Sequence, residues 1–216
     1  MGHTTQGIRN VALVGAAGAG KTLLAESLLL QAGAIRAKGS LARGSTVSDF
    51  DPQEKALQHS LEPAVLTFDC DSTRIHLLDT PGYPDFLGRT LSVLEAVEAV
   101  AVVVSATSGP DAVTRRIMDF ARDRELCRLI VINKIDSREA KTADVLAQIR
   151  ETFGSECLPL NLPADGGRAV VDCFFQPHGA PADFSSVEMA HTQLVDQVIE
   201  LDEQLMAVYL EQGEEI

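Results

Sequence analysis

Three short stretches of this chain carry residue types that handle phosphate, a cation and a purine base. The first is GAAGAGKT, in which four residues separate Gly15 from Gly20, and Lys21 and Thr22 follow. Backbone without side chains folds closely around oxyanions and directs successive N–H groups at them. Ala16, Ala17, Gly18 and Ala19 complete that loop, and a helix starting near Lys21 adds the positive end of its dipole. At this spacing Lys21 would neutralise the β- and γ-phosphates, and the Thr22 hydroxyl would complete a Mg2+ shell. The second stretch, HLLDTPGYPDF, ends an apolar run on Asp79 and places Gly82 three residues later. A carboxylate there can hold Mg2+ through water, and the glycine leaves a backbone N–H free to sense a γ-phosphate and to move when it departs. Alone, D-T-P-G is also an ordinary turn. The third is VINKID, with Asn133, Lys134 and Asp136. Asp136 could accept hydrogen bonds from N1–H and the exocyclic amine of guanine, a donor pair that adenine lacks. Each motif is common by chance; the three in this order, each behind an apolar run, predict a guanine nucleotide.

The elements that must position them can be read from periodicity. IRNVALVG (8–15) reads as a buried strand, and KTLLAESLLLQAG (21–33) as a helix that stops at Gly33. Residues 35–60 mix Gly, Ser, Asp and charge without period and read as a long loop, a feature that is usually functional or disordered. PAVLTFDCD and TRIHLLDT read as strands joined by a tight turn at Asp71–Ser72. Helices follow at 87–99, 110–126 and 138–154, and buried strands at 99–106 and 128–134. This alternation predicts an α/β fold: a mostly parallel sheet with one antiparallel edge strand and helices on both faces. After Gly154 the texture changes. Two strands around Ala164–Gly167 and a Pro/Gly-bearing stretch suggest a small inserted subdomain at 157–184. A helix at 186–212 then returns to the main domain, which comprises 1–156 and 185–216.

Apolar residues make up 45% of the 216, enough for a sizeable core, and the formal net charge is −13. That charge repels bare nucleic acid and anionic membrane, and no basic nucleic-acid-binding patch is visible. Cys70, Cys127, Cys157 and Cys173 have neither zinc nor disulfide spacing. No run approaches the length of a membrane span. A soluble, cytoplasmic chain is expected.

NVALVGAAGAGKT, DTPGYPDF with the following VLEAVEAVAVVVSATSGP, and IVINKID resemble the translational GTPases, more closely the G domain of elongation factor G and its divergent elongation factor G-like branch. The resemblance implies a P-loop NTPase G domain that binds GTP or GDP with Mg2+ and works on the ribosome. It extends over SDFDPQEKALQHSL, where Ser60 takes the place of the family's magnesium-binding threonine, and in outline over the shortened insert. No match to the last G-domain strand or to the loop that backs the guanine precedes Ile216, which suggests an amino-terminal fragment of a longer protein.

The chain departs from the family at two further places. Gly18 replaces the aspartate that helps to hold a monovalent cation. Tyr83 replaces the histidine that helps to position the attacking water, and a phenol with a pKa of about 10 does not reproduce that histidine. Two candidate catalytic residues follow, Lys21 and, by position alone, Tyr83. Two activities also follow: a ribosome-stimulated GTPase, or a GTP-gated binding module with little hydrolysis. An ATP-dependent kinase or ATPase shares the loop but is disfavoured by Asp136. His59 beside Ser60, and Arg36 and Arg43 in the long loop, are read as solvated loop residues rather than catalytic ones, and Glu200, Asp202 and Glu203 as a wet helix face.

Overall fold

The apolar run before the glycine-rich loop forms strand β1 (Ile8–Val14), and the helical run behind it forms α1 (Lys21–Gln31). In the computed structural model, which describes residues 4–175, 181–200 and 206, these elements open the first of two compact units. The division between the units falls at Lys134 and Ile135. The first unit continues with α2 (Pro52–Leu57), β2 (Ala64–Cys70), β3 (Thr73–Asp79), α3 (Leu87–Val93), β4 (Ala99–Ser105), α4 (Ala112–Asp123) and β5 (Cys127–Asn133).

Five strands make one sheet in the order β2-β3-β1-β4-β5. All pairs are parallel except β2 with β3, which makes β2 the antiparallel edge strand anticipated from the hairpin sequence. Register is the part of this that builds a site. Leu13 of β1 lies opposite both Asp79 of β3 and Ala101 of β4, so β1 and β3 end level and their following loops emerge side by side, while β4 runs on to Ser105. Ala25 and Leu29 of α1 pack with Leu13, Leu77, Ala101 and Val103 on one face. Side chains of the opposite parity in β4, Val100, Val102 and Val104, are buried too, as expected of a strand covered on both faces. Sheet and helices thus follow the expected α/β pattern.

Several expected elements are shorter or better formed than the sequence suggests. The helix expected over 87–99 ends at Val93 and tightens into a 3-10 turn, Leu94–Ala96, because Val97 turns to extended backbone ahead of β4. Within the stretch read as a long loop lie a 3-10 turn, Leu41–Arg43, and the six-residue helix α2. A capping box explains α2: the Asp51 side chain accepts from backbone N–H, Glu54 reaches back to the Asp51 N–H, and Pro52 starts the helix.

The second unit contains α5 (Thr142–Phe153), a hairpin of β6 (Asn161–Ala164) and β7 (Ala169–Asp172), and α6 (Val187–Glu200). Leu162, Ala164, Val171 and Cys173 pack against Val187, Ala190 and Leu194 of α6. The Asp183 carboxylate accepts from Gly166 N and Gly167 N at 2.9 and 2.8 Å and so fixes the hairpin turn. Residues 176–180 of the expected insert, and the continuation of the last helix with Asp202 and Glu203, lie outside the described residues.

Candidate functional site

Gly15 leaves β1 with φ 133°, and a Cβ there would overlap the backbone carbonyl of Val103. Only glycine lets the loop turn so close to β4. Ala19 N closes on Ala16 O at 3.2 Å. Lys21 folds back along the loop, its Nζ donating to Gly15 O at 2.8 Å and to Ala16 O at 2.9 Å. Helix α1 begins after Gly20 with no side-chain cap, so the N–H groups of its first turn keep their capacity for a ligand. Asn133, at the end of β5, braces the loop from the other side by donating from Nδ2 to Ala19 O at 2.9 Å.

The segment after β3 locks onto the same loop. Gly82 O accepts from Ala17 N at 2.9 Å, and a Cβ on Gly82 would stand 2.6 Å from that nitrogen and against Lys21 Nζ. Thr80 donates through both N and Oγ1 to Leu13 O, at 3.2 and 2.9 Å. Asp79 is 1% exposed. Its Oδ2 accepts from Thr22 Oγ1 at 2.8 Å, while Oδ1 has no partner. Burial raises the Asp79 carboxyl to about 6, against the charge-stabilising hydroxyls of Thr22 and Ser48 and the Lys21 ammonium. The Ser48 hydroxyl is near enough to stabilise that charge, yet no bond of ordinary geometry joins it to Oδ1, and its Oγ is likewise unpartnered. Burial also lowers Lys21 to about 8, opposed by Asp79 and Asp111. The site therefore holds a buried cation and a buried carboxylate, each short of the partners that would offset desolvation. A buried oxygen without a donor, next to a threonine hydroxyl, suits a hydrated divalent cation.

The segment over this pair is held by side chains. Glu26 in α1 is 1% exposed and accepts Gly39 N at Oε2 and Val47 N at Oε1, both at 2.6 Å. Asp49 accepts Thr46 Oγ1 at 3.1 Å and Ser60 Oγ at 2.7 Å. Glu54 accepts Leu61 N at 2.9 Å and Glu62 N at 3.2 Å. Sequence reasoning missed Glu26, Ser48, Asp49 and Glu54. An acid among the leucines of KTLLAESLLLQ and the D-x-x-E start of α2 were the available signals.

A cavity of about 320 Å3 opens over the loop, lined among others by Gly18, Gly20, Lys21, Thr22, Ser60, Gly82, Tyr83 and Lys134. The structure thus gathers the predicted residues of the first unit in one place. Ser60 reaches the cavity while its hydroxyl is given to Asp49. Tyr83 is 41% exposed, with its ring centroid 4.5 Å from that of His59, which also lines the cavity. Arg36 and Arg43 are exposed and outside the lining. Asp136 belongs to the second unit, where the Ile135–Asp136 backbone packs against Gly167. Among the described residues, no helix is long and apolar enough to cross a membrane.

Comparison with known proteins bears on this geometry. The sequence profile of the elongation factor Tu GTP binding domain matches residues 6–214. An elongation factor G-like protein of Mycobacterium tuberculosis is 35% identical, over 94% of this chain and 30% of that protein. The mitochondrial ribosome-releasing factor 2 of Drosophila grimshawi is 30% identical, over 94% of this chain and 30% of its own length. A crystal structure of a Thermus thermophilus protein is similar with a TM-score of 0.84 at 33% identity, over 96% of this chain and 33% of that one. The chain spans 30% of the length of the Mycobacterium and Drosophila relatives.

Proposed function

Since the chain belongs to the elongation factor Tu GTP-binding domain family, we propose that its cavity takes GTP and GDP with Mg2+ and that the loop over it responds to the γ-phosphate. The observation that carries the reading is the buried carboxylate of Asp79. One oxygen is held by Thr22 and the other is unpartnered, within the electrostatic reach of Lys21. In this reading the backbone of Gly15, Ala16, Ala17, Gly18, Ala19 and Gly20 wraps the phosphates, and Lys21 faces the β- and γ-oxygens. Thr22 would hold the metal directly and Asp79 through water. Ser60 supplies a further hydroxyl once it leaves Asp49, and Gly82 N–H reports the γ-phosphate. Bound Mg2+ would neutralise charge on the phosphates. Asn133 holds the loop, and with Lys134 and Asp136 it forms the guanine-reading segment. The relatives named as elongation factor G-like proteins and ribosome-releasing factors support a full-length protein that acts on the ribosome as a cytoplasmic translation factor. The domain would run over 1–156 and 185–216, with 157–184 as its insert.

Tyr83 supports a second reading, a GTP-gated module that binds without turning over, because it lines the cavity where the resemblance places a histidine.

The base assignment is tested by nucleotide competition on the full-length protein. GDP is expected to displace a fluorescent GDP, whereas ADP does not. Asp136→Asn should lower GDP affinity by about 100-fold or more and favour xanthosine diphosphate, since the buried donors of guanine lose their acceptor. Competition by ADP equal to that by GDP would show the guanine assignment to be wrong.

A further inference from the structure

Cleavage of a γ-phosphate needs a group that orients the attacking water, and that group must offer a lone pair. The cavity side chains can be sorted on this ground. A hydroxyl that donates keeps its lone pairs, but Thr22 and Ser60 are assigned to the metal in the reading above, and Thr80, 1% exposed, is anchored on Leu13 O at 2.9 Å. Lys21 and Lys134 are ammonium groups with donors only. Gln58, His59 and Tyr83 remain. Gln58 is exposed, while His59 is half-buried. The His59 ring is held on two sides, its centroid 4.5 Å from that of Tyr83 with the planes at 49°, and 6.4 Å from that of Phe86. Its Nδ1 lies 3.3 Å from Ser60 O. A carbonyl only accepts, so in the neutral ring this contact places the proton on Nδ1 and leaves the lone pair on Nε2.

We infer that His59, reaching the cavity from the loop before β2, orients the attacking water for GTP hydrolysis, and that Tyr83 serves as the platform fixing its ring. The inference rests on the nucleotide reading above. In the step itself the water oxygen bonds to the γ-phosphorus. The bond from that phosphorus to the β–γ bridging oxygen breaks, and its electron pair leaves on GDP. The water's proton ends on the inorganic phosphate, so His59 undergoes no net change. Tyr83 at the place of the expected histidine then does not silence the site, because an imidazole is supplied from the other side.

The test uses the full-length protein with ribosomes, reading single-turnover GTP hydrolysis and, separately, affinity for a non-hydrolysable GTP analogue. His59→Ala is expected to slow hydrolysis by about 100-fold or more while analogue affinity changes by less than about threefold. Free imidazole should restore part of the lost rate, which a merely structural defect would not permit. His59→Gln, which still offers an oxygen to water, should retain more rate than His59→Ala. Tyr83→Phe, which keeps the ring, should lose far less than His59→Ala. The ring nitrogen signal of His59 should shift on adding the analogue and stay in place on adding GDP. Wild-type hydrolysis by His59→Ala, absence of imidazole rescue, or a Tyr83→Phe loss as deep as that of His59→Ala overturns the inference and leaves the nucleotide reading intact. So does tight GTP binding with no hydrolysis by the wild type. Failure of the wild type to bind GTP at all overturns both.

Discussion

The two walls of the cavity are built by different physics. The floor, from Gly15 to Thr22 with Asp79 to Gly82, is held by strand register and main-chain bonds: Leu13 opposite Asp79, Ala17 N on Gly82 O, Thr80 on Leu13 O. The roof, residues 39–62, pairs with no strand and is pinned instead by the carboxylates of Glu26, Asp49 and Glu54. Main-chain pairing in a covered sheet is cooperative and survives the loss of a single partner. A loop tied by three carboxylates, and by Arg89 where it donates to Leu61 O, has few independent anchors, so it can be released with a modest change in free energy. The difference suits a site whose floor must hold charge in fixed places while its roof moves.

The floor should break hardest where its backbone has no room. Gly15→Ala puts a methyl group onto the Val103 carbonyl at a φ of 133°, which L side chains rarely adopt. We expect a loss of about 4 kcal/mol or more, seen as a collapse of the thermal transition and of soluble yield. A variant that melts within a few degrees of wild type would show that the floor yields as readily as the roof.

The roof should break locally. Glu26→Ala strips both Gly39 N and Val47 N of their acceptor and should cost about 3 kcal/mol. Glu26→Gln, with one amide oxygen left, should cost about half as much. Amide hydrogen exchange should quicken over 39–49 in both variants while β1, β3 and β4 stay protected. Uniform loss of protection would mean that floor and roof unfold as one unit.

The same contrast explains what could be read from the sequence. Gly15, Lys21, Thr22, Asp79 and Gly82 are legible because strand ends in a parallel sheet impose fixed spacings, and the β2–β3 hairpin because a polar turn at Asp71–Ser72 interrupts two apolar runs. The roof reads only as a long loop, since Glu26 reaches Gly39 and Val47 across 13 and 21 residues and such contacts leave no period. Ser60 is legible as a hydroxyl, but its tie to Asp49 is not. His59 looks like a solvated loop residue because nothing in its neighbours predicts the ring of Tyr83, 24 positions on.

The smallest expected effect concerns the charge that the floor buries. The Asp79 carboxyl, raised from 3.8 to about 6 in the folded chain, favours the folded state most below about 4. That contribution is lost as pH rises through about 6. Lys21, lowered from 10.5 to about 8, is protonated in both states below pH 7 and adds no slope there; its own contribution is full above 10.5 and lost as pH falls through about 8. Between pH 5 and 7 the ligand-free wild type should therefore lose on the order of 1 kcal/mol relative to Asp79→Asn, which cannot ionise at this position. Denaturant midpoints of both proteins at the two pH values give the difference, in which the slope from all other carboxylates cancels. Mg2+ with GDP should erase it, because a hydrated cation near Oδ1 would supply the partner that burial withholds and draw the carboxyl back toward its ordinary range. If wild type and Asp79→Asn show the same slope, the buried charge of Asp79 does not set it, and the floor carries no such burden.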